Sequence, residues 1–472
     1  MTAEQKRLVL AVCVTVGISF VIGASLNFML TPMLADLGLT KDQAGTALAI
    51  PSIASLLIVF ATGRAGDRVG HRRVIVWASL PFVVGSVLVG SAPAMPMISL
   101  GLLLAGASAT AMQIVSLGLL QQAFPAGPSR VSAFTSFGMV FPAVYLVVPV
   151  LTGWLVGVAP WRVVPVLWAL LGLAIPVVVL RLIPPPGPAV APGELWTPIL
   201  AGVVLAGVVE MIDAGHDHGW TSPGALTWLL VSLLAAAACA WLLRSMREPS
   251  LSLRALGNPT MALLLACVAM VAMTNTLTYV MLGLEYLYGE SVLVAALWLV
   301  PAQAAAVVGA KFVAQQLMDR WGAARAGRIM LAGLALTLLP LVLMSATAPL
   351  ALLVVTSALF SLFGFGSITI VNAVVMAQSP PGEAGMVSAY RGGASSLGTA
   401  LGVVILGAAV SGVVLMASTT AVGTLPDPAA LADGLRANGL MGALIAAVAW
   451  VAFSWAVRDR SNRDGAPARV AT

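Results

Sequence analysis

Gly63-Arg64-Ala65-Gly66-Asp67-Arg68-Val69-Gly70-His71-Arg72-Arg73 sets three glycines, one carboxylate and four guanidinium groups between two long apolar runs. Elsewhere charge is scarce. Of the 472 residues only 8% are charged and 60% are hydrophobic, with a mean hydropathy of +1.03. A soluble domain averages about a quarter charged, so this composition excludes a water-soluble globule. The formal charge of +6 is then read as a topological signal rather than as an attraction to nucleic acid. Cys13, Cys239 and Cys267 lie inside apolar runs and are read as packing residues, with neither disulfide nor metal spacing.

Working outward from Gly63, a bilayer crossing requires about 20 mostly apolar residues. The first six runs fall near Leu8 to Leu30, Ala44 to Thr62, Val74 to Gly90, Ile98 to Leu120, Val131 to Val156 and Val163 to Leu182. Two follow, at Trp196 to Ile212 and Ala225 to Leu243. The last six are near Thr260 to Leu284, Val292 to Gln315, Ile329 to Ser345, Leu350 to Val375, Gly392 to Leu415 and Leu440 to Ala456. The first run is too long for a signal-peptide core and is read as a retained span. With the N-terminus inside, Lys41, Arg162 and Arg436 face outward and Lys311 sits within a span, leaving nineteen of twenty-three basic residues on the cytoplasmic side. An even number of spans, with both termini cytoplasmic in a cell membrane, is the expectation.

An internal repeat supports fourteen. Asp319-Arg320-Trp321-Gly322, followed by Arg325, echoes Asp67-Arg68-Val69-Gly70 at an offset of 252, and Val387-Ser388-Ala389-Tyr390 echoes Val131-Ser132-Ala133-Phe134 at an offset of 256. Residues 1–182 then form one six-helix bundle, 183–258 an inserted pair with linkers, 259–457 a second bundle and 458–472 a short basic tail.

The Gly63 to Arg73 segment resembles the loop signature of the major facilitator superfamily, and the added central pair is similar to its fourteen-helix drug:proton antiporter branch. Trp161-Arg162, Gly219-Trp220, Pro301 and Leu397 to Gly402 match that branch in order. The resemblance implies an all-α integral membrane fold of six plus two plus six helices. It implies secondary transport of a small molecule by alternating access, coupled to protons, by a monomer embedded in lipid and without a cofactor. No nucleotide-binding loop appears, so ATP is not the direct energy source.

Chemistry gives the signature a role. Asp67 can accept hydrogen bonds from orphan amides at the start of the third helix, aided by the helix dipole. Gly66 and Gly70 suit a tight backbone, Gly63 opens the segment, and Arg68, Arg72 and Arg73 suit bridges to helix ends or lipid phosphates. Asp319, Arg320 and Gly322 are the second copy. A gate and a static positive-inside anchor are the two readings.

The chain departs from the antiporter pattern in three places. The first helix keeps Asn27 and Pro32 but lacks the acid ahead of them; Leu102 stands where relatives place an arginine; and the fifth-helix motif is reduced to Pro149 and Gly153. Charges within a bilayer are costly and are functional candidates by default. Glu285 at the end of the ninth helix is the first candidate for proton coupling, against a boundary residue wetted from outside. Glu210 and Asp213 share a face of the seventh helix, which the resemblance places at the periphery. Asn27, Gln113, Asn275, Tyr279, Gln303 and Asn372 are candidates for a cavity or for helix-to-helix hydrogen bonds. His216-Asp217-His218, read as an outer loop, is a poor metal site with no third ligand. The expected function is outward transport of amphipathic or lipophilic molecules. Lipid or metabolite transport without drug:proton antiport is the alternative, and a receptor or assembly factor on the same scaffold the third; no constellation supports an enzyme.

Overall fold

A computed structural model of the chain describes residues 1–38, 41–185, 194–246, 251, 256–274, 277, 280, 283–284, 287–290, 292–345, 347–410 and 428–464. Among these residues there is no strand. Hydrocarbon offers no hydrogen-bond partners, so each apolar run satisfies its amides and carbonyls within its own helix. The helices are α1 (Ala3–Leu37), α2 (Lys41–Val69), α3 (His71–Gly90), α4 (Met95–Ala123), α5 (Pro128–Gly138), α6 (Val140–Val158), α7 (Val163–Leu182), α8 (Trp196–His218) and α9 (Pro223–Ser245). There follow α10 (Pro259–Met273), α11 (Val292–Trp298), α12 (Val300–Val307), a π-helical stretch (Val308–Val313), α13 (Ala314–Leu338), a 3-10 turn (Leu339–Leu343), α14 (Leu350–Met376), α15 (Ala384–Val410) and α16 (Pro428–Asp464).

Ten helical stretches among the described residues are long and apolar enough to cross a membrane. Their faces show what surrounds them. On α3, Trp77, Leu80, Val84 and Val87 are exposed at helical spacing, while Ile75, Phe82 and Val89 are fully buried. An outward apolar stripe of this size is untenable in water and is the expected surface toward lipid.

The chain divides into two units, Met1–Ser252 with Ser379–Gly393, and Leu253–Gln378 with Ala394–Thr472. In the first, the core gathers Phe82, Ile98, Leu102, Met112 and Trp168. The buried Trp168 indole donates to Ser25 Oγ at 3.0 Å, and Ser25 Oγ donates to the Val21 carbonyl at 2.6 Å, so neither polar group is orphaned. Gly85 and Gly101 let α3 and α4 touch backbone to backbone: a methyl on Gly85 would lie 2.5 Å from the Gly101 carbonyl oxygen. Gly202 does the same for α8 against the Leu57 carbonyl of α2, and Gly207 of α8 makes room for the Ser232 side chain of α9. Without hydrophobic contrast between helix and lipid, such close approaches supply much of the packing energy.

In the second unit, Gly309 meets the Leu362 carbonyl of α14, Gly327 meets Phe453 of α16, and Gly398 meets the Ala269 carbonyl of α10. The π-helical stretch interrupts the expected tenth span, and it carries both Gly309 and Lys311.

Three expectations are corrected by local geometry. The Gly63 to Arg73 segment is helix rather than loop, since α2 runs through Val69 and only Gly70, with φ 102, leaves the helical region. His216 and His218 belong to the last turn of α8, not to a loop. The last apolar run, expected from near Leu440, lies in a helix that starts earlier, at Pro428.

Candidate functional site

The end of α2 carries the site. Asp67 and His71 lie one turn apart, and their side chains are each 1% exposed. Asp67 turns not to the helix that follows it but to α15: Oδ1 accepts from the Gly385 amide at 2.7 Å and Oδ2 from the Met386 amide at 2.9 Å. These are two of the orphan amides that every helix start presents, and the dipole there favours a negative charge. The expectation that Asp67 caps the third helix is therefore wrong. Gly70 caps α3 without any side-chain hydrogen bond. The carboxylate cannot fold back on its own chain, because the helix holds it one turn short of Gly70 and aims it at a neighbour.

Glycines make the approach possible. A methyl on Gly63 would lie 2.5 Å from the Gly385 carbonyl oxygen and 2.9 Å from Ala389 Cβ. Gly118 of α4 leaves room for the His71 ring, and its own methyl would stand 3.2 Å from the Gly385 amide nitrogen. Gly66 is helical, so its use is packing rather than backbone freedom; a methyl there would meet Val115 at 3.0 Å and the His71 ring at 3.2 Å.

The electrostatics are opposed. Burial, with a contribution from Glu383, pushes the Asp67 carboxyl up to about 7 against the pull of the two amides and Arg64. Arg64, whose Nε is buried without a hydrogen bond, is held below its usual range first by burial and then by Arg68. Asp67, Glu383 and Glu194 act on it in the other direction. His71 Nε2 is also buried without a hydrogen bond, 3.8 Å from Asp67 Oδ1. Arg72 donates to the Leu180 carbonyl at the end of α7 at 2.9 Å, and Arg73 donates to Val69 at the end of α2 at 3.1 Å. Both satisfy helix ends. Arg68 is half-buried.

The second copy of the signature is arranged differently. Asp319, Arg320 and Gly322 are exposed or nearly so, and neither charged side chain has a hydrogen bond or ion pair among the described residues. Gly322 keeps the conformational role of its counterpart, with φ 72.

Elsewhere in the same unit as Asp67, Asp36 of α1 accepts from Arg162 and, at 3.1 Å, from the Trp161 indole, while Arg162 also donates to the Ala92 carbonyl at 3.2 Å. The bond from Arg162, then that from Trp161, holds the Asp36 carboxyl below the usual carboxylate range. Asp36→Asn is expected to leave the fold intact, since exposed ion pairs stabilise little, and to slow transport by freeing Arg162. A large fall in melting temperature would instead make the pair structural.

The remaining candidates are scattered. Glu285, Asn275 and Tyr279 lie outside the described residues, as does the side chain of Asn27. Glu210 and Asp213 are half-buried on α8. Gln113 of α4 and Gln303 of α12 are half-buried, the Gln303 Oε1 without a hydrogen bond, and Asn372 of α14 is 7% exposed. Pro149 lies inside α6, and Gly153 has no heavy atom within 4 Å of the place a methyl would take.

Sequence reading passes over Gly385 and Met386, which present backbone rather than chemistry. It passes over His71 as well, although the histidine stands within the quoted signature. It also gives no weight to Phe20, Phe141 and Tyr145. Phe20 meets Phe141 edge-on at 5.0 Å and Phe141 stacks on Tyr145 at 4.3 Å, with Gly23 making room for the Tyr145 hydroxyl.

Residues 12–403 match the profile of the Major Facilitator Superfamily. The chain belongs to this superfamily. It is therefore a multi-pass integral membrane protein, all-helical over its described residues. It is 28% identical over 269 residues to an uncharacterised MFS-type transporter of Mycobacterium tuberculosis, covering 56% of this chain and 38% of that protein's length. It is 23% identical over 396 residues to the multidrug resistance protein Stp of the same species, covering 82% of this chain and 72% of Stp. A protein named "Probable actinorhodin transporter" from Streptomyces coelicolor is 27% identical over 225 residues, covering 46% and 37%. Among solved structures, the human organic anion transporter MFSD10 superposes with a TM-score of 0.68 at 13% identity, covering 96% of this chain and 100% of that one. The proton:xylose symporter XylE superposes with a TM-score of 0.64 at 14% identity, covering 95% and 94%. At such identities these two speak to fold alone.

Proposed function

We propose that this superfamily member is a proton-coupled exporter of amphipathic or lipophilic small molecules, working by alternating access. The observation that carries the reading is the Asp67 clamp on the first turn of α15. Two charge-assisted bonds and a glycine contact are strong enough to hold one conformation, yet few enough to break in a transport cycle. The clamp is the gate, and Arg72 and Arg73 tie the neighbouring helix ends that must move with it or stay behind. The Phe20, Phe141 and Tyr145 ladder offers flat apolar contact of the kind an aromatic or lipophilic cargo uses. The names of Stp and of the Streptomyces relative agree with export of such molecules.

The fourteen-helix, six plus two plus six arrangement of the drug:proton antiporter branch, a monomeric state and a cell-membrane location with cytoplasmic termini belong to the same proposal. Glu285 remains its first coupling residue, with Glu210 and Asp213 behind it. In proteoliposomes carrying a pH gradient, Glu285→Gln is expected to abolish gradient-driven uptake of a lipophilic dye while leaving counterflow. Unchanged gradient-driven uptake removes Glu285 from the mechanism. The missing first-helix acid and Leu102, fully buried where relatives place an arginine, favour a second reading, lipid or metabolite transport without antiport. A resistance profile of an expressing strain, set beside a lipid-transport assay, separates the two.

A further inference from the structure

Two polar side chains of α15 have no use in the clamp. Gly385 and Ala389 face α2, and Gly392 faces Ile114 of α4 and Val59 of α2, so the clamp uses this stripe, although the first turns are buried on every side from Ala384 to Tyr390. Arg391 lies about 120° around the helix from it, at 3.6 residues per turn. Its Nε is buried with no hydrogen bond, and no hydrogen bond or ion pair reaches the side chain among the described residues. One turn earlier and on the same side, Ser388 is 0% exposed and its Oγ is likewise without a partner. Arg391 as a whole is only partly buried, while its Nε is buried without a partner.

Arg391 stands about 10 Å along the helix from Ala384. A charge carried into a span without a counter-ion costs a few kcal/mol, and a lone buried donor adds its own desolvation cost. A stable fold tolerates both when a ligand supplies the missing charge. The guanidinium fork matches a carboxylate, sulfonate or phosphate in two parallel bonds, and a serine hydroxyl one turn away can add a third.

We infer that Arg391, aided by Ser388, is an anion-recognition site of this transporter, which selects cargo bearing a carboxylate, sulfonate or phosphate group. This deepens the transport reading above and rests on it. The same chemistry would admit a free organic anion or an anionic lipid headgroup.

The test uses the full chain in nanodiscs, with 2-naphthoate and its uncharged counterpart 2-naphthamide as probes titrated by calorimetry. Wild type is expected to bind the carboxylate at least about tenfold more tightly, the scale of one charge-assisted hydrogen bond. Arg391→Gln is expected to erase that preference without weakening naphthamide, and Ser388→Ala to reduce it. Equal affinities in wild type, or a preference that survives Arg391→Gln, overturn the assignment. If the glutamine variant aggregates on gel filtration, Arg391→Lys decides, because an ammonium cannot form the fork. A preference reduced at least about threefold supports the site, and an unchanged one overturns it.

Discs of phosphatidylcholine alone and discs containing phosphatidylglycerol separate the two sources. Competition by phosphatidylglycerol in wild type, lost in Arg391→Gln, assigns the site to a lipid headgroup; naphthoate affinity independent of lipid assigns it to a soluble anion. Flux is measured separately in proteoliposomes. Preferential binding without any flux refutes the transport reading and leaves the site standing.

Discussion

Asp67→Asn is expected to abolish most transport while the protein still folds. The asparagine oxygen can accept from only one of the Gly385 and Met386 amides, and its NH2 group meets the other amide donor to donor. With the charge gone as well, the clamped conformation loses about 3 kcal/mol, a shift of roughly a hundredfold between clamped and released states. Counterflow in proteoliposomes, with crosslinking of a cysteine pair placed across α2 and α15, would show it. Wild-type rates combined with wild-type crosslinking would reduce the clamp to an ornament of the fold. The helix ends bonded by Arg72 and Arg73 are untouched, so folded yield is expected to change little.

Acid should act on the same group. With its folded carboxyl raised to about 7, above the ordinary value near 3.8, Asp67 binds its proton more tightly in the native state than in the unfolded one. Its contribution is therefore most favourable to folding below about pH 4, falls by about 1.4 kcal/mol per unit as pH rises toward 7, and is level above that. The same linkage acts on the clamp: the carboxyl is raised while it is buried against α15, so protons favour the clamped state over a released one in which Asp67 is wetted, and the clamp loosens as pH rises from about 4 toward 7. Transport in wild type is expected to show an inflection near pH 7 on the side to which Asp67 is exposed when released, and Asp67→Asn is expected to flatten it. A profile with the same inflection in the variant places the titration elsewhere.

The second large effect concerns packing. Gly309→Val is expected to cost about 3 kcal/mol or more and to leave little folded protein, because its side chain would enter the Leu362 backbone, which has no flexible end to give way. Folded yield from fluorescence-detected gel filtration is the measure. Gly366→Ala should be milder, since the methionine tip of Met330 stands in its way and can swing aside, and Gly153→Ala should be silent because nothing lies within 4 Å. A variant at Gly309 as well behaved as one at Gly153 would mean that α14 does not pack there.

Much of this protein is legible in residue order alone. The apolar runs, the scarcity of charge and the asymmetry of its basic residues are local or additive properties, and lipid translates them directly into helices and spans. The signature around Asp67 marks a functional corner on similar grounds: beside a bilayer, a carboxylate among arginines and glycines is costly to keep and persists where it is used. Arg72 and Arg73 are read from the sequence as bridging helix ends or lipid phosphates, and here they donate to the Leu180 and Val69 carbonyls.

Tertiary structure decided the partners. Asp67 is 318 residues from Gly385, and the amides it grips belong to any helix start, so no side chain in the sequence marks them. The repeat predicts equivalent roles for Asp67 and Asp319, yet one is sealed against α15 and the other is exposed, because the surroundings rather than the motif set burial. Arg391 looks in sequence like one more basic residue near a helix start. Only packing, which turns Gly385, Ala389 and Gly392 toward α2 and α4 and leaves Arg391 on another face without a counter-ion among the described residues, makes it a candidate for recognising a charged cargo.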